Sequence, residues 1–308
     1  ADVSGLTRRD RIIAMHAIAK PEGDDSVAGY LVMGTMQGQV KRVALADLVS
    51  QAHAEPTAIN LDAGDELVFA DVGGGEGGEI LLVTAAGQAI RFSEDTVRPM
   101  GLNAGGIGGI KLEKKDRVVA GQWLDPVKQA GHAVAIMTAF GFGKRTPLAD
   151  FPIQGRNGKG VVAAKVSTRG GEISGAALML SNDYLINITY RGVPKVLQGS
   201  SVPEMGRSTQ GKPVVSLASG DHIWQVYKVT GGTELEPTAG DDAPDEAPTG
   251  GRAAGAARGR RLGRGAPRPR PPPARRAGGR PQPCAGRCRS RRPKPGRRGA
   301  GQTGRSRR

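Results

Sequence analysis

The sequence predicts an all-β fold, a propeller-like toroid of four-stranded blades, and three observations carry that prediction. One layout repeats four times, at steps of 49, 54 and 51 residues. Apolar side chains within it alternate with the period of two that belongs to strands. Glycine is also dense, 48 of 308 residues, too frequent for stacked helical repeats of this length.

Each repeat opens with a hairpin. The segments read "TMQGQVKR" from Thr35, "TAAGQAIR" from Thr84, "TAFGFGKR" from Thr138 and "TYRGVPKV" from Thr189, each preceded by an apolar run ("YLVMG", "EILLV", "AVAIM", "YLINI"). This predicts a strand, a tight turn at Gly38, Gly87, Gly141 or Gly192, and a returning strand. A second element follows as "GLNAGGIGGIKL" from Gly101, "GRNGKGVVAAKV" from Gly155 and "GRSTQGKPVVSL" from Gly206, with a further glycine at Gly106, Gly160 and Gly211 before an alternating strand. A closing strand recurs as "DRIIA", "DELVF", "DRVVA" and "DHIWQ" from Asp10, Asp65, Asp116 and Asp221, and the third repeat closes around "GGEISGA" at 170–176. The leading Asp reads as turn chemistry.

Four strands in about 50 residues is the size of one propeller blade. The blades are expected at about 19–70, 71–121, 122–176 and 177–229, after a leading strand at 8–18. Four repeats leave the ring incomplete in this reading, with strand edges to protect. "GGGEGG" (73–78) reads as a linker between blades.

The net charge of +15 is unevenly placed. Residues 251–308 hold nineteen Arg and one Lys with no acid, and 231–250 hold six acids with no base. The first 230 residues carry 24 basic and 23 acidic side chains, so the high isoelectric point says nothing about the expected β domain. The span 1–230 is therefore taken as the domain, 231–250 as an acidic linker and 251–308 as an Arg/Pro/Gly/Ala-rich tail too poor in apolar residues to fold. A genuine tail and a shifted reading frame both fit its G- and C-rich codon bias. Both cysteines, Cys284 and Cys288, lie there, so the body is expected to hold no disulfide or thiolate metal site. No apolar run reaches the roughly 18 residues of a membrane span. The chain opens at Ala1 without initiator methionine or signal peptide, which reads as a cytoplasmic fragment.

Enzyme readings are weak. His16, His53, His132 and His222 are scattered and lack ligand spacing. Tyr30, Tyr184, Tyr190 and Tyr227 fall on strand patterns, where packing is their expected role. "QGRNGKG" (154–160) is not a phosphate loop: Gly160 stands where Ser or Thr would bind Mg²⁺, and the glycine spacing is short.

The stretches "VRPMGLNAGGIGGIKL" (97–112), "GFGKRTPLADFP" (141–152) and "GDELV" (64–68) are similar to the C-terminal domain of DNA gyrase A, the β-pinwheel around which gyrase wraps DNA. The resemblance runs over about 5–229. The family's gyrase box reads Q-[KR]-R-G-G-K-G, and 154–160 reproduces Gln154, Arg156, Gly158, Lys159 and Gly160 while departing at Gly155 and Asn157. That box belongs to the first of six blades, whereas this loop lies in the third of four repeats. By order the repeats resemble blades three to six, and the loop a box-like descendant, with the true box as the alternative.

The resemblance implies duplex DNA as partner, with the N-terminal region of gyrase A and with gyrase B in an A2B2 holoenzyme that supercoils DNA near the nucleoid. ATP and Mg²⁺ would be used only by that holoenzyme, with no cofactor in this chain. The region with the family's catalytic tyrosine has no counterpart here, so no strand breakage is expected of it alone. The equivalent C-terminal domain of topoisomerase IV is a close variant, and a propeller-like protein-interaction module without DNA role is the rival class.

Two sets of cations are the candidate DNA contacts. One follows each hairpin turn, on what would be a common rim: Lys41, Arg42, Arg91, Lys144, Arg145 and Lys195. The other lies in or beside the Gly-rich loops: Arg98, Arg156, Lys159, Arg207 and Lys212. Glycine lets the backbone approach phosphates and donate N–H groups to them. Strand-end cations also serve simply to keep edges soluble, which is the competing reading. Nothing resembles a base-reading helix, and aromatics are too few for single-strand stacking.

Overall fold

The computed structural model describes residues 11–18, 27–51, 55–74 and 77–231. The chain divides into two units, Ala1–Glu246 and Ala247–Arg308, and every described residue belongs to the first. The expected tail, nearly all of the acidic linker, and residues 8–10 of the expected leading strand lie outside the described residues.

Four hairpins organise the fold: β1 (Tyr30–Thr35) with β2 (Gln39–Ala44), β4 (Glu79–Thr84) with β5 (Gln88–Ser93), β8 (Ala133–Thr138) with β9 (Phe142–Pro147), and β12 (Tyr184–Thr189) with β13 (Pro194–Gln198). The recurring Thr and Gly build the turn. Each Thr hydroxyl accepts the backbone N–H four residues on, at Gln39, Gln88, Phe142 and Val193, all at 3.2 Å. Each Gly N–H donates to the Thr carbonyl, and all four glycines sit at positive φ, between 81° and 92°. A type I turn followed by a left-handed residue has this form, and only glycine takes it without strain.

The closing strands β3 (Leu67–Gly73), β7 (Val118–Leu124), β11 (Ile173–Met179) and β15 (Ile223–Val229) pair with the first strand of each hairpin. The Asp that precedes three of them caps the turn beside it. Asp65 Oδ1 accepts from Gln37 and Glu66, Asp116 Oδ1 from Ala86 and Arg117, and Asp221 Oδ1 from Arg191 and His222.

Contrary to what the repeat length suggests, the blades are not contiguous in sequence. In three of the four sheets the fourth strand is donated by the next repeat: β6 (Ile107–Gly108) pairs with β2, β10 (Val161–Val162) with β5, and β14 (Lys212–Pro213) with β9. The orders are β3-β1-β2-β6, β10-β5-β4-β7, β11-β8-β9-β14 and, with no donated strand among the described residues, β13-β12-β15. The second recurring glycine permits this pairing. A Cβ on Gly160 would lie 2.4 Å from Ala89 O, and one on Gly211 2.8 Å from Gly143 O.

The core lies between sheets. One apolar cluster joins blades one and two through Val32, Phe69, Ile80, Leu82 and Phe92. A second joins blades two and three through Leu81, Val83, Val134, Ile136 and Phe151, and a third joins blades three and four through Met137, Met179, Leu185 and Ile223. The closing strands pack successively, β3 on β7, β7 on β11 and β11 on β15. They line a cavity of about 450 Å³ together with residues 11–14. The donated strands therefore lie on the opposite, outer edge.

Three expectations are corrected. Residues 11–18 form no strand; the side chains of Arg11 and His16 tie them alongside β3, to Glu66 and to Ala70 O. The strand after each Gly-rich loop has only two residues, because it crosses to the neighbouring blade. Tyr190 is not on a strand but in the turn after β12, largely exposed and stacked 5.0 Å from His222. The sequence reading also missed a short helix, α1 (Leu45–Ser50), which stands where later blades have a 3-10 turn (Glu94–Thr96, Leu148–Asp150, Gly199–Ser201).

Candidate nucleic-acid interface

The cations that follow the hairpins form no rim. Lys41 is fully buried and its ammonium donates to Ala58 O (2.7 Å) and Ala104 O (2.9 Å). Lys144 is buried likewise and donates to Gly206 O, Arg207 O and Thr209 Oγ1. Burial lowers the pKa of both lysines, and with added repulsion from Arg207 that of Lys144 falls to about 8. An ammonium so enclosed has its donors committed to carbonyls and holds the Gly-rich loop of the next repeat.

The arginine one residue further on clamps blade to blade. Arg42 Nη1 reaches Glu94 Oε1 (3.2 Å) while its guanidinium sits 4.4 Å over the Tyr30 ring, and the same Glu94 accepts from Trp123 Nε1. Arg91 pairs with Glu79 and donates to Leu148 O and Phe151 O. Arg145 Nε donates to Val202 O (2.9 Å). All three grip the next repeat at its 3-10 turn or the residue just after it. Lys195, on β13, is half-buried and the one member of this set whose blade receives no donated strand among the described residues.

The second set lies at the outer edge. Arg98 and Lys212 are exposed. Lys159 is exposed and pairs with Glu113 at 2.8 Å, a hydrogen bond that raises the lysine pKa and lowers that of the glutamate. Arg156 and Arg207 are half-buried and bond backbone carbonyls of the preceding loop. The same segments expose cations that the sequence reading passed over, namely Lys111, Lys114, Lys115, Lys165 and Arg169. The signal for them was present: each lies between a donated strand and the closing strand of its own repeat. By contrast, the loop at 55–64 of the first repeat has Glu55 and Asp62, no base and no donated strand.

Fold and site together define a β-propeller of strand-exchanging blades with cations gathered on its outer loops. The family model described as DNA gyrase C-terminal domain, beta-propeller, matches residues 29–55, 78–121, 132–178 and 183–229, one segment for each hairpin. The chain belongs to this family. The DNA gyrase A protein of Salmonella typhimurium is 33% identical over 224 residues, covering 73% of this chain and 24% of that protein. The chain thus spans about a quarter of the length of the curated relatives it matches. Among solved structures, the C-terminal domain of DNA topoisomerase IV superposes with a TM-score of 0.62 at 26% identity, covering 68% of this chain and 64% of that one. The DNA gyrase A C-terminal domain superposes with a TM-score of 0.59 at 22% identity, covering 67% of each, and is similar in fold.

Proposed function

We propose that residues 27–231 bind duplex DNA without base readout and bend it, as the wrapping domain of gyrase A within an A2B2 holoenzyme. One observation supports this above the rest: exposed cations recur on three successive outer loops, Arg98 and Lys111, Lys159 and Lys165, then Lys212. Phosphates are the ligand such a series suits, since base contacts need a groove-entering element. Bending a 20–30 bp site by 40–90° costs on the order of 1–6 kcal/mol, within reach of several phosphate contacts. Strand breakage and ATP with Mg²⁺ would belong to the rest of gyrase A and to gyrase B, and the holoenzyme would act on nucleoid DNA.

Titration across salt concentrations tests the proposal. Binding should weaken with salt, and Arg98→Ala with Lys212→Ala should each reduce the slope by about 0.9. Lys41→Met should leave the slope unchanged, because a buried ammonium displaces no counterion. A flat salt response would favour a protein-interaction module instead. The topoisomerase IV superposition favours a second reading, a wrapping domain of that enzyme. Joined to the remaining gyrase parts, the chain should support ATP-dependent negative supercoiling, and relaxation alone would favour topoisomerase IV.

A further inference from the structure

The loop arginines do a job that the exposed lysines do not. Arg156 Nη1 donates to Gly108 O, at the end of β6, and its Nε to Thr96 O (3.2 Å). Arg207 Nη1 donates to Val162 O (3.2 Å), at the end of β10. Arg156 and Arg207 each follow the first glycine of their loop, and Gly108 and Val162 each end a donated strand, so one bond is made twice at equivalent places. The equivalent residue of the earlier loop is Leu102, which packs on the apolar cluster of Met33, Val43 and Ala70. Among the described residues that loop has no earlier donated strand to reach, and there the arginine is absent. Backbone bonds run beside these ties: Asn157 N–H to Gly109 O (2.7 Å), Lys111 N–H to Gly158 O (2.9 Å) and Lys165 N–H to Thr209 O (3.0 Å).

We propose that Arg156 and Arg207 are positioning residues that join β6, β10 and β14 into one continuous strip, and that the fixed step from loop to loop sets the curvature imposed on duplex DNA. The second half of this rests on the DNA reading above; the first does not. A guanidinium suits the role because its planar fork reaches a carbonyl while staying charged. Each tie crosses from one blade's outer strand to the next blade's loop, so losing it loosens the spacing of phosphate contacts without removing a cation.

Arg→Lys substitution separates tie from charge. In the full chain, Arg207→Lys and the double variant Arg156→Lys/Arg207→Lys are compared with wild type by amide hydrogen exchange, salt-dependent DNA binding and DNA circularisation. Exchange without DNA should quicken about tenfold around 155–163, the loss of one or two charge-assisted bonds. The salt slope should hold, the melting temperature should move little, and circularisation of short duplexes should fall severalfold. Unchanged exchange would overturn the tie. Quickened exchange with undiminished circularisation would overturn its part in curvature. A wild-type chain that bends no DNA removes the DNA reading and the curvature claim with it, while the exchange comparison still decides the tie.

Discussion

The hairpins of the second and fourth blades share one turn and differ in almost everything beyond it. All six residues of β4 are buried, Ile80 and Leu82 against blade one and Leu81 and Val83 against blade three. β12 alternates between half-buried and buried, because among the described residues its sheet has a neighbour on one face. A strand covered on both faces reads as a continuous apolar run, and one covered on a single face as an alternation. The second strands differ too. Where β2, β5 and β9 have Val40, Ala89 and Gly143, β13 has Pro194, which lacks the N–H that a pairing edge offers. Where they have the clamping Arg42, Arg91 and Arg145, β13 has Val196. A blade is thus an arrangement that its neighbours complete, and the residues that differ are those that would face a next repeat.

The widest gap between the two blades should appear on truncation of equivalent residues. Leu81 and Ile186 occupy the same register, one buried between blades and one half-exposed. Leu81→Ala should cost about 2–5 kcal/mol, as core truncations do. Ile186→Ala should cost about 1 kcal/mol, from partial loss of apolar burial. Urea denaturation measures both, and equal costs would mean that another surface covers the outer face of blade four.

Lys144 and Lys195 give the next contrast, again at one register. Lys144 holds its proton less tightly when folded than when unfolded, since burial lowers its pKa from 10.5 to about 8. Between those values the unfolded chain binds more protons, so this group makes stability rise with pH across that window. The cost of burying the charge is present below pH 8 and relieved towards pH 10.5. Wild type should therefore gain on the order of 2–3 kcal/mol over Lys144→Met as pH rises from about 7.5 to 10.5. Lys195, at the same register, is half-buried rather than enclosed. Parallel pH courses for wild type and Lys144→Met would sink this account.

The comparison also explains what could be read in advance. Thr35, Gly38 and their three counterparts made the hairpins legible, because turn chemistry is local. Asp65, Asp116 and Asp221 were legible for the same reason. The strand exchange was not: Ile107–Gly108 and Val161–Val162 are too short to show a period, and nothing local says which sheet they join. The burial of Lys41 and Lys144 was hidden as well. β2 and β9 are covered on both faces, so alternation carries no information there, and lysine ordinarily argues for exposure. One sign was available, since isoleucine, Ile90, takes the same register in the second repeat, and there it is fully buried. An isoleucine and a lysine alternating at one place indicate a buried stem rather than a rim.

The smallest effect expected concerns the loop at 154–160, set against the loop that bears Lys212. Both expose one lysine at the outer edge, but Lys159 faces Glu113 while Lys212 has no ion-pair partner among the described residues. Lys159 and Glu113 side chains are 71% and 67% exposed, so solvent screens their pair and it yields easily to a phosphate. It still subtracts from binding, because a phosphate must replace the carboxylate and then sit near it. Glu113→Gln should accordingly tighten duplex binding by about two- to fivefold at low salt, a gain that shrinks as added salt screens the carboxylate. Lys159→Ala should weaken binding less than Lys212→Ala, since part of its charge is already answered. If Glu113→Gln leaves affinity unchanged while Lys212→Ala lowers it, the DNA path passes the last loop and misses the box-like one.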